Sequence, residues 1–169
     1  NKAKLSALEN TSTLKDLLSY PDRYGKYTWS VLSQLLCYVV SKVDEIADDI
    51  MAIDTAMKLG YGWKYGPFEL LDKIGTTWFV QKLREEGRDA PPFLEKVDSR
   101  SFYKVQDGKL HYLTLEGNYQ EVQRCTGQLF LSDIKVASQP LAKNGSAALW
   151  DIGDGVVCLE FTSKMNSID

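Results

Sequence analysis

The spacing of apolar positions changes near residue 100. Before it they recur every three to four residues, as on one face of a helix; after it they alternate, as along a strand. In TWSVLSQLLCYVVSKVDEIADD, Val31, Leu32, Leu35, Leu36, Val39, Val40, Val43 and Ile46 keep an i, i+1, i+4, i+5 repeat. The repeat predicts a long helix with one buried face, which must pack on something: eight such side chains represent roughly 12–24 kcal/mol of gross burial. Asp44 and Asp48 would be like charges at i, i+4. The helix is therefore predicted to end near Ala47, with Asp49 capping the next one.

That next helix, IMAIDTAMKL, carries Lys58 in its last turn, with Gly60 as the expected left-handed stop. GPFELLDKI restarts with Gly66 as cap, Pro67 at the first helical position and Glu69 in the first turn. Gly75 ends it. Thr76 or Thr77 is expected to cap WFVQKLREE, which Gly87 stops. STLKDLLSY before Pro21 and APPFLEKV are shorter helices.

From Ser101 on, SFYKVQ-DG-KLHYLT and ALWDIG-DG-VVCLEF are hairpins turning at Asp107-Gly108 and Asp154-Gly155. Two-residue turns pair Val105 with Leu110 and Tyr103 with Tyr112, so Lys104 faces His111. In the second hairpin they pair Ile152 with Val157, Trp150 with Leu159, and Ala148 with Phe161, six residues on one apolar face. YQEVQ and QLFLSDIKVA read as strands between the hairpins, and SQPLAKNGSA as a linker. The fold class is α+β: a helical domain over 1–97, a β-rich connector over 98–147, and a hairpin over 148–169.

Composition narrows the function. The 169 residues are 44% hydrophobic and 25% charged with net charge −3, which argues against nucleic acid as a main partner. No apolar run approaches the roughly 20 residues that span a bilayer. Cys37, Cys125 and Cys158 are far apart, which suggests buried reduced thiols and a cytoplasmic protein. One His, His111, makes a zinc site improbable in composition. The chain lacks an initiator Met and ends on KMNSID, so a piece of a longer protein is expected.

Candidate chemistry is thin. Gly60, Gly62 and Gly66 spell G-x-G-x-x-x-G, one residue longer than the dinucleotide fingerprint, and they follow a helix rather than a strand. His111 has a lysine as its expected cross-strand neighbour, which cannot orient an imidazole as a carboxylate does. The residues alone nominate no catalytic, cofactor-binding or metal-binding group. Trp63, Tyr65, Pro67, Phe68 and Trp150 are nominated for packing or an interface. DEIADD reads as a solvated helix junction, lacking the spacing and Gly of an EF-hand.

IDTAMKLGYGWKYGPFELLDKIG, Ile53 to Gly75, resembles the signature of the C-terminal helical domain of 3-hydroxyacyl-CoA dehydrogenases. The matching positions are Ile53, Asp54, Ala56, Met57, Gly60, Gly66, Pro67, Phe68, Glu69, Leu70, Asp72 and Gly75, within a resemblance covering about 24–87. ALWDIGDGVVCLEFTSKMNSID is similar to the opening hairpin of an enoyl-CoA hydratase (crotonase) domain, with Asn166, Ser167, Ile168 and Asp169 in place of its N-A-[IL]-[ND] segment. Together they resemble bifunctional fatty-acid β-oxidation enzymes.

The resemblance implies an NAD-dependent oxidoreductase of lipid metabolism, a multifunctional enzyme acting on acyl-CoA. Its NAD would be bound by an upstream Rossmann domain, and a crotonase domain would follow. It implies no catalytic residue and no cofactor within this chain. The catalytic copy of the helical domain opens with a helix bearing an Asn-Arg pair; YGKYTWSVLSQLL has none, which implies a second, non-catalytic copy packed on the first. The other reading is an independent binding or small hydrolytic module centred on the β region and His111. The second hairpin's apolar face is expected to pack on the strands of 101–136 or against a second molecule, making a homodimer.

Overall fold

A computed structural model describes residues 11–163. Asn166 to Asp169, on which the hydratase-like segment rests, lie outside them. The chain divides into two compact units. The first runs to Tyr103 and includes Tyr112–Gln120; the second comprises Lys104–His111 and the chain from Glu121 on.

The first unit is helical: α1 (Leu14–Ser19), α2 (Arg23–Ile46), α3 (Ile50–Tyr61), α4 (Pro67–Ile74), α5 (Thr76–Glu85) and α6 (Pro92–Val97). Thr13 and Asp16 form a capping box on α1, Asp22 caps α2, and Asp49 caps α3 by accepting from Ala52 N at 2.8 Å. The core is built from Leu36, Val40, Ile50, Phe68, Leu71, Phe79, Leu83 and Leu94. Phe68 meets Phe102 edge-to-face at 5.0 Å, and Trp29 meets Phe79 at 5.3 Å.

Three helix expectations need correction. The stop of α3 is Gly62, not Gly60: the helix runs on to Tyr61 and only Gly62 takes the left-handed backbone, at φ 66°. Gly75, not Thr76 or Thr77, is the cap position of α5, because α4 and α5 abut with no room for a separate threonine cap. On α2 the buried face is Trp29, Ser33, Leu36, Val40 and Val43. Val31 and Ile46, both assigned to it by the apolar repeat, are exposed.

Strands β1 (Tyr103–Gln106), β2 (Lys109–Leu113) and β3 (Tyr119–Glu121) form one three-stranded sheet. Asp107 and Gly108 both have positive φ, as the tight turn requires. Leu113 N donates to Phe102 O, which is the expected register. Val122 N donates to Leu110 O just past β3.

The second sheet has order β4 (Ala142–Lys143), β5 (Ala147–Gly153), β6 (Val156–Phe161). Its hairpin turns at Asp154-Gly155 as read, but a bulge at Ile152, beside Gly153 at φ 94°, shifts the register by one. Trp150 therefore pairs with Cys158 and Leu149 with Leu159. The six-residue apolar face is split: Ala148 and Trp150 lie on one side, Val157, Leu159 and Phe161 on the other. The first pair is buried and the other three are exposed.

QLFLSDIKVA is also corrected. Leu131–Ala137 is a helix, α7, packed on β5. Leu131 and Ile134 are its half-buried apolar positions, three apart, and Asp133 and Lys135 complement its ends. Arg124 holds Asp133 through two 2.7 Å hydrogen bonds. Lys135 pairs with Glu160 at 2.6 Å, and its ammonium stands 5.8 Å from the Trp150 ring. The three cysteines are free; Cys125 is exposed and the other two half-buried, not buried as the composition suggested.

Candidate functional site

The signature residues converge at the α3–α4 corner. Helix α4 begins Gly66-Pro67-Phe68-Glu69, and the backbone donors of its first turn need acceptors. Pro67 has no N–H. Gly66 N donates to Glu69 Oε2 at 2.8 Å. Phe68 N and Glu69 N donate to the two oxygens of Asp54, at 2.9 and 3.1 Å. Asp54 stands on α3, so α4 is capped from a different helix. Gly66 is required sterically: a Cβ there would lie 2.3 Å from Asp54 Cγ.

The corner is fastened further. Tyr103 Oη donates to Asp54 Oδ2 at 2.9 Å. Asp72, five residues along α4 from Pro67, accepts from Phe102 N at 2.7 Å and Tyr103 N at 2.9 Å. Lys58 pairs with Glu69 at 2.6 Å. Asp54 is 1% exposed, and burial pushes its carboxyl up to about 6 against the lowering effect of its donors. Burial likewise raises Asp72. Burial, with Asp54 beside it, raises the Tyr103 phenol.

This corner does not fit a dinucleotide. A pyrophosphate bound at a helix start needs free backbone N–H groups. Here Asp54 and Glu69 already take those donors, and their carboxylates stand where an anion would sit.

The nominated packing residues occupy different surroundings. Pro67 and Phe68 are buried, Phe68 in the centre of the core. Trp63 and Tyr65 are half-buried, and Lys73 lies over the Tyr65 ring at 4.2 Å. Trp150 is 7% exposed and its indole donates to Glu160 Oε2 at 3.0 Å, in the second unit. His111, half-buried on β2, has its Nδ1 3.1 Å from Lys109 O.

One feature had no sequence signal. A cavity of ≈ 560 Å³ opens between α1, α2 and α5, lined by Leu18, Tyr20, Pro21, Trp29, Lys82 and Arg88 among others. Trp29 Nε1 donates to Glu86 at 2.6 Å, and Arg88 donates to the buried Ser33 hydroxyl at 2.7 Å. Lys82 lies over Trp29 at 4.5 Å and Trp78 at 5.0 Å, donates to Leu18 O, and is lowered in pKa by burial. No His, Cys or Asp lines this cavity. Among the described residues no group of three His, Cys, Asp or Glu side chains is placed to hold a metal, and no helix is long and apolar enough to cross a membrane.

Residues 27–120 match the family model "3-hydroxyacyl-CoA dehydrogenase, C-terminal domain", and the chain belongs to that family. The match runs past residue 87 and takes in β1, β2 and the start of β3, for which the sequence suggested no family motif.

The chain is 38% identical over 99% of its length to a "Probable 3-hydroxyacyl-CoA dehydrogenase" of Bacillus subtilis. It is 34% identical over 94% of its length to a "Putative fatty acid oxidation complex trifunctional enzyme" of Rickettsia prowazekii. It spans only 21% and 19% of those proteins. A "Hydroxyacyl-coenzyme A dehydrogenase, mitochondrial" of Sus scrofa is 36% identical over 43% of the chain, which covers 27% of that protein. No solved structure matches significantly.

Proposed function

We propose that this chain is a non-catalytic helical scaffold and connector within an NAD-dependent 3-hydroxyacyl-CoA dehydrogenase of fatty-acid β-oxidation that also carries enoyl-CoA hydratase activity. One observation carries the scaffold role. The signature carboxylates Asp54, Glu69 and Asp72 are all committed to backbone N–H groups of the chain itself.

Other features support the finer reading. Helix α2 has no Asn-Arg pair and instead buries Trp29, as suits a second copy of the helical domain packed on a first. Two relatives aligned along most of the chain are named fatty acid oxidation trifunctional enzymes, which favours a crotonase domain after the second hairpin. Their greater length leaves room for an upstream Rossmann domain to bind NAD and for an acyl-CoA site outside this chain. Three free thiols suit the cytoplasm.

Calorimetry with NADH and a turnover assay with a 3-hydroxyacyl-CoA and NAD test the proposal. The expected result is neither binding nor turnover by this chain, and both restored when the upstream segment is present. Robust turnover by the chain alone overturns it.

A further inference from the structure

The cavity between α1, α2 and α5 is cationic in a chain that is acidic overall. Lys26, Lys82 and Arg88 line it against one carboxylate, Glu86, while the whole chain carries a net charge of −3. A concave wall of one sign concentrates ions of the other. Glu86 is already engaged, accepting from Trp29 Nε1 at 2.6 Å and pairing with Arg88 at 3.4 Å. Lys82 donates to a neutral acceptor, Leu18 O, and lies over the Trp29 and Trp78 rings, with no carboxylate partner among the described residues. Burial lowers its pKa, with Glu85 and Glu86 opposing. Such a cation is short of counter-charge.

Donors also remain unused. The Lys26 side chain makes no hydrogen bond or ion pair among the described residues. Arg88 is held through Nη1 alone, which donates to the buried Ser33 hydroxyl at 2.7 Å and to Glu86 at 3.4 Å. Its Nε–Nη2 edge makes no bond among the described residues. Arg124 uses the same edge to grip Asp133, through two 2.7 Å hydrogen bonds. Two parallel N–H groups match two oxygens of a carboxylate or a phosphate.

Charge and size choose between ligands. Three cations against one carboxylate leave an excess of two in the lining, which a phosphate monoester, at about −1.5 to −2, would neutralise. The volume of ≈ 560 Å³ lies within the range of about 300–1,000 Å³ that small organic ligands fill. Leu18, Tyr20 and Pro21 add an apolar wall that a bare phosphate would leave uncovered.

We propose that this cavity binds an organic phosphate monoester, its oxygens held by the Nε–Nη2 edge of Arg88 with Lys26 and Lys82, its apolar body lying on Leu18, Tyr20 and Pro21. The site is independent of the scaffold reading. Phenyl phosphate, titrated into the full chain by calorimetry, is expected to saturate with a Kd below about 1 mM. Inorganic phosphate, which lacks the body, and benzyl alcohol, which lacks the charge, are expected to bind at least about tenfold more weakly. Arg88→Lys keeps the charge and loses the edge, and is expected to weaken binding about tenfold. Because Arg88 also holds Ser33, helicity is recorded alongside. Lys26→Gln removes an exposed charge with no partner to strand, and is expected to weaken binding about threefold with the fold unchanged. The Trp29 indole N–H resonance is expected to move on titration, and that of Trp150 to stay. Absence of saturation, equal binding of inorganic phosphate or benzyl alcohol, or undiminished binding by Lys26→Gln or by a folded Arg88→Lys chain overturns the proposal. Phenylacetate binding as tightly as phenyl phosphate overturns the choice of a phosphate head.

Discussion

The two units of this chain solve the same packing problem with unequal means. The first places 19 of the 22 buried apolar residues identified among the described residues, from Leu18 to Leu113. The second places three: Val122, Ala148 and Trp150. The first ties its elements with buried Asp54 and half-buried Asp72, which each serve several donors. The second relies on exposed or half-exposed ion pairs, Arg124–Asp133, Lys109–Glu121 and Lys135–Glu160. A unit with a broad core can lose one contact and persist, whereas a unit resting on one indole cannot.

The sharpest test of that contrast uses two large-to-small changes. Phe68→Ala is expected to cost about 3–5 kcal/mol, lowering the denaturation midpoint of the first unit while leaving it folded at low denaturant. Trp150→Ala removes a similar payload from a far smaller core. It is expected to abolish the second unit's transition altogether, with the helical signal retained. Equal, graded shifts from both variants would break the comparison.

Next in size is Asp54→Ala, which strands Phe68 N–H, Glu69 N–H and the Tyr103 hydroxyl. It is expected to cost about 2–4 kcal/mol at pH 7. It also tests a pH effect. The Asp54 carboxyl stands at about 6 in the fold, against about 3.9 unfolded. Between these values the folded state holds the extra proton. Asp54's contribution to stability therefore rises as pH falls through 6 and levels off below about 4. The difference between the native chain and Asp54→Ala, followed by denaturant titration across this window, is expected to show that rise. A flat difference would mean that the three donors offset burial, and a fall that they outweigh it.

The smallest effect belongs to the second unit's surface. Lys135→Ala breaks the pair with Glu160 and is expected to cost about 0.2–1 kcal/mol, diminishing with added salt. A larger, salt-independent loss would show that the Lys135 stem shields Trp150 and that this unit's core extends into α7.

The same contrast explains which parts of the fold were legible in the sequence. Helices α1 to α6 were readable because caps, prolines and apolar spacing agree, as at Asp49 before α3 and Gly66-Pro67 before α4. Where local signals competed, the reading failed. QLFLSDIKVA satisfies both alternation and a three-residue spacing, and its packing on β5 decides for the helix. The bulge at Ile152 leaves no mark in an alternating run, yet it moves every later side chain of β6 to the opposite face. Val31 belongs to the apolar repeat of α2 but lies on its outer side, because Trp29 and Ser33 take the inner one.

The corner carboxylates were visible as motif positions. Their work was not, since Asp54 meets partners 14 and 49 residues away and Asp72 meets one 30 residues away. The cavity beside Trp29 was invisible for the same reason: Lys82 and Arg88 are remote in sequence from the helix they meet.

The capping of α4 by a side chain of α3 carries a consequence for how the chain assembles. An eight-residue helix is too short to persist alone in water, and the start of α4 lacks acceptors for Phe68 N–H and Glu69 N–H until Asp54 arrives. Neither element is complete before both have docked, so local order and tertiary contact must form in one event. The amide protons of Phe68, Glu69, Phe102 and Tyr103, all held by carboxylates from elsewhere in the chain, should then exchange with solvent as a single cooperative group.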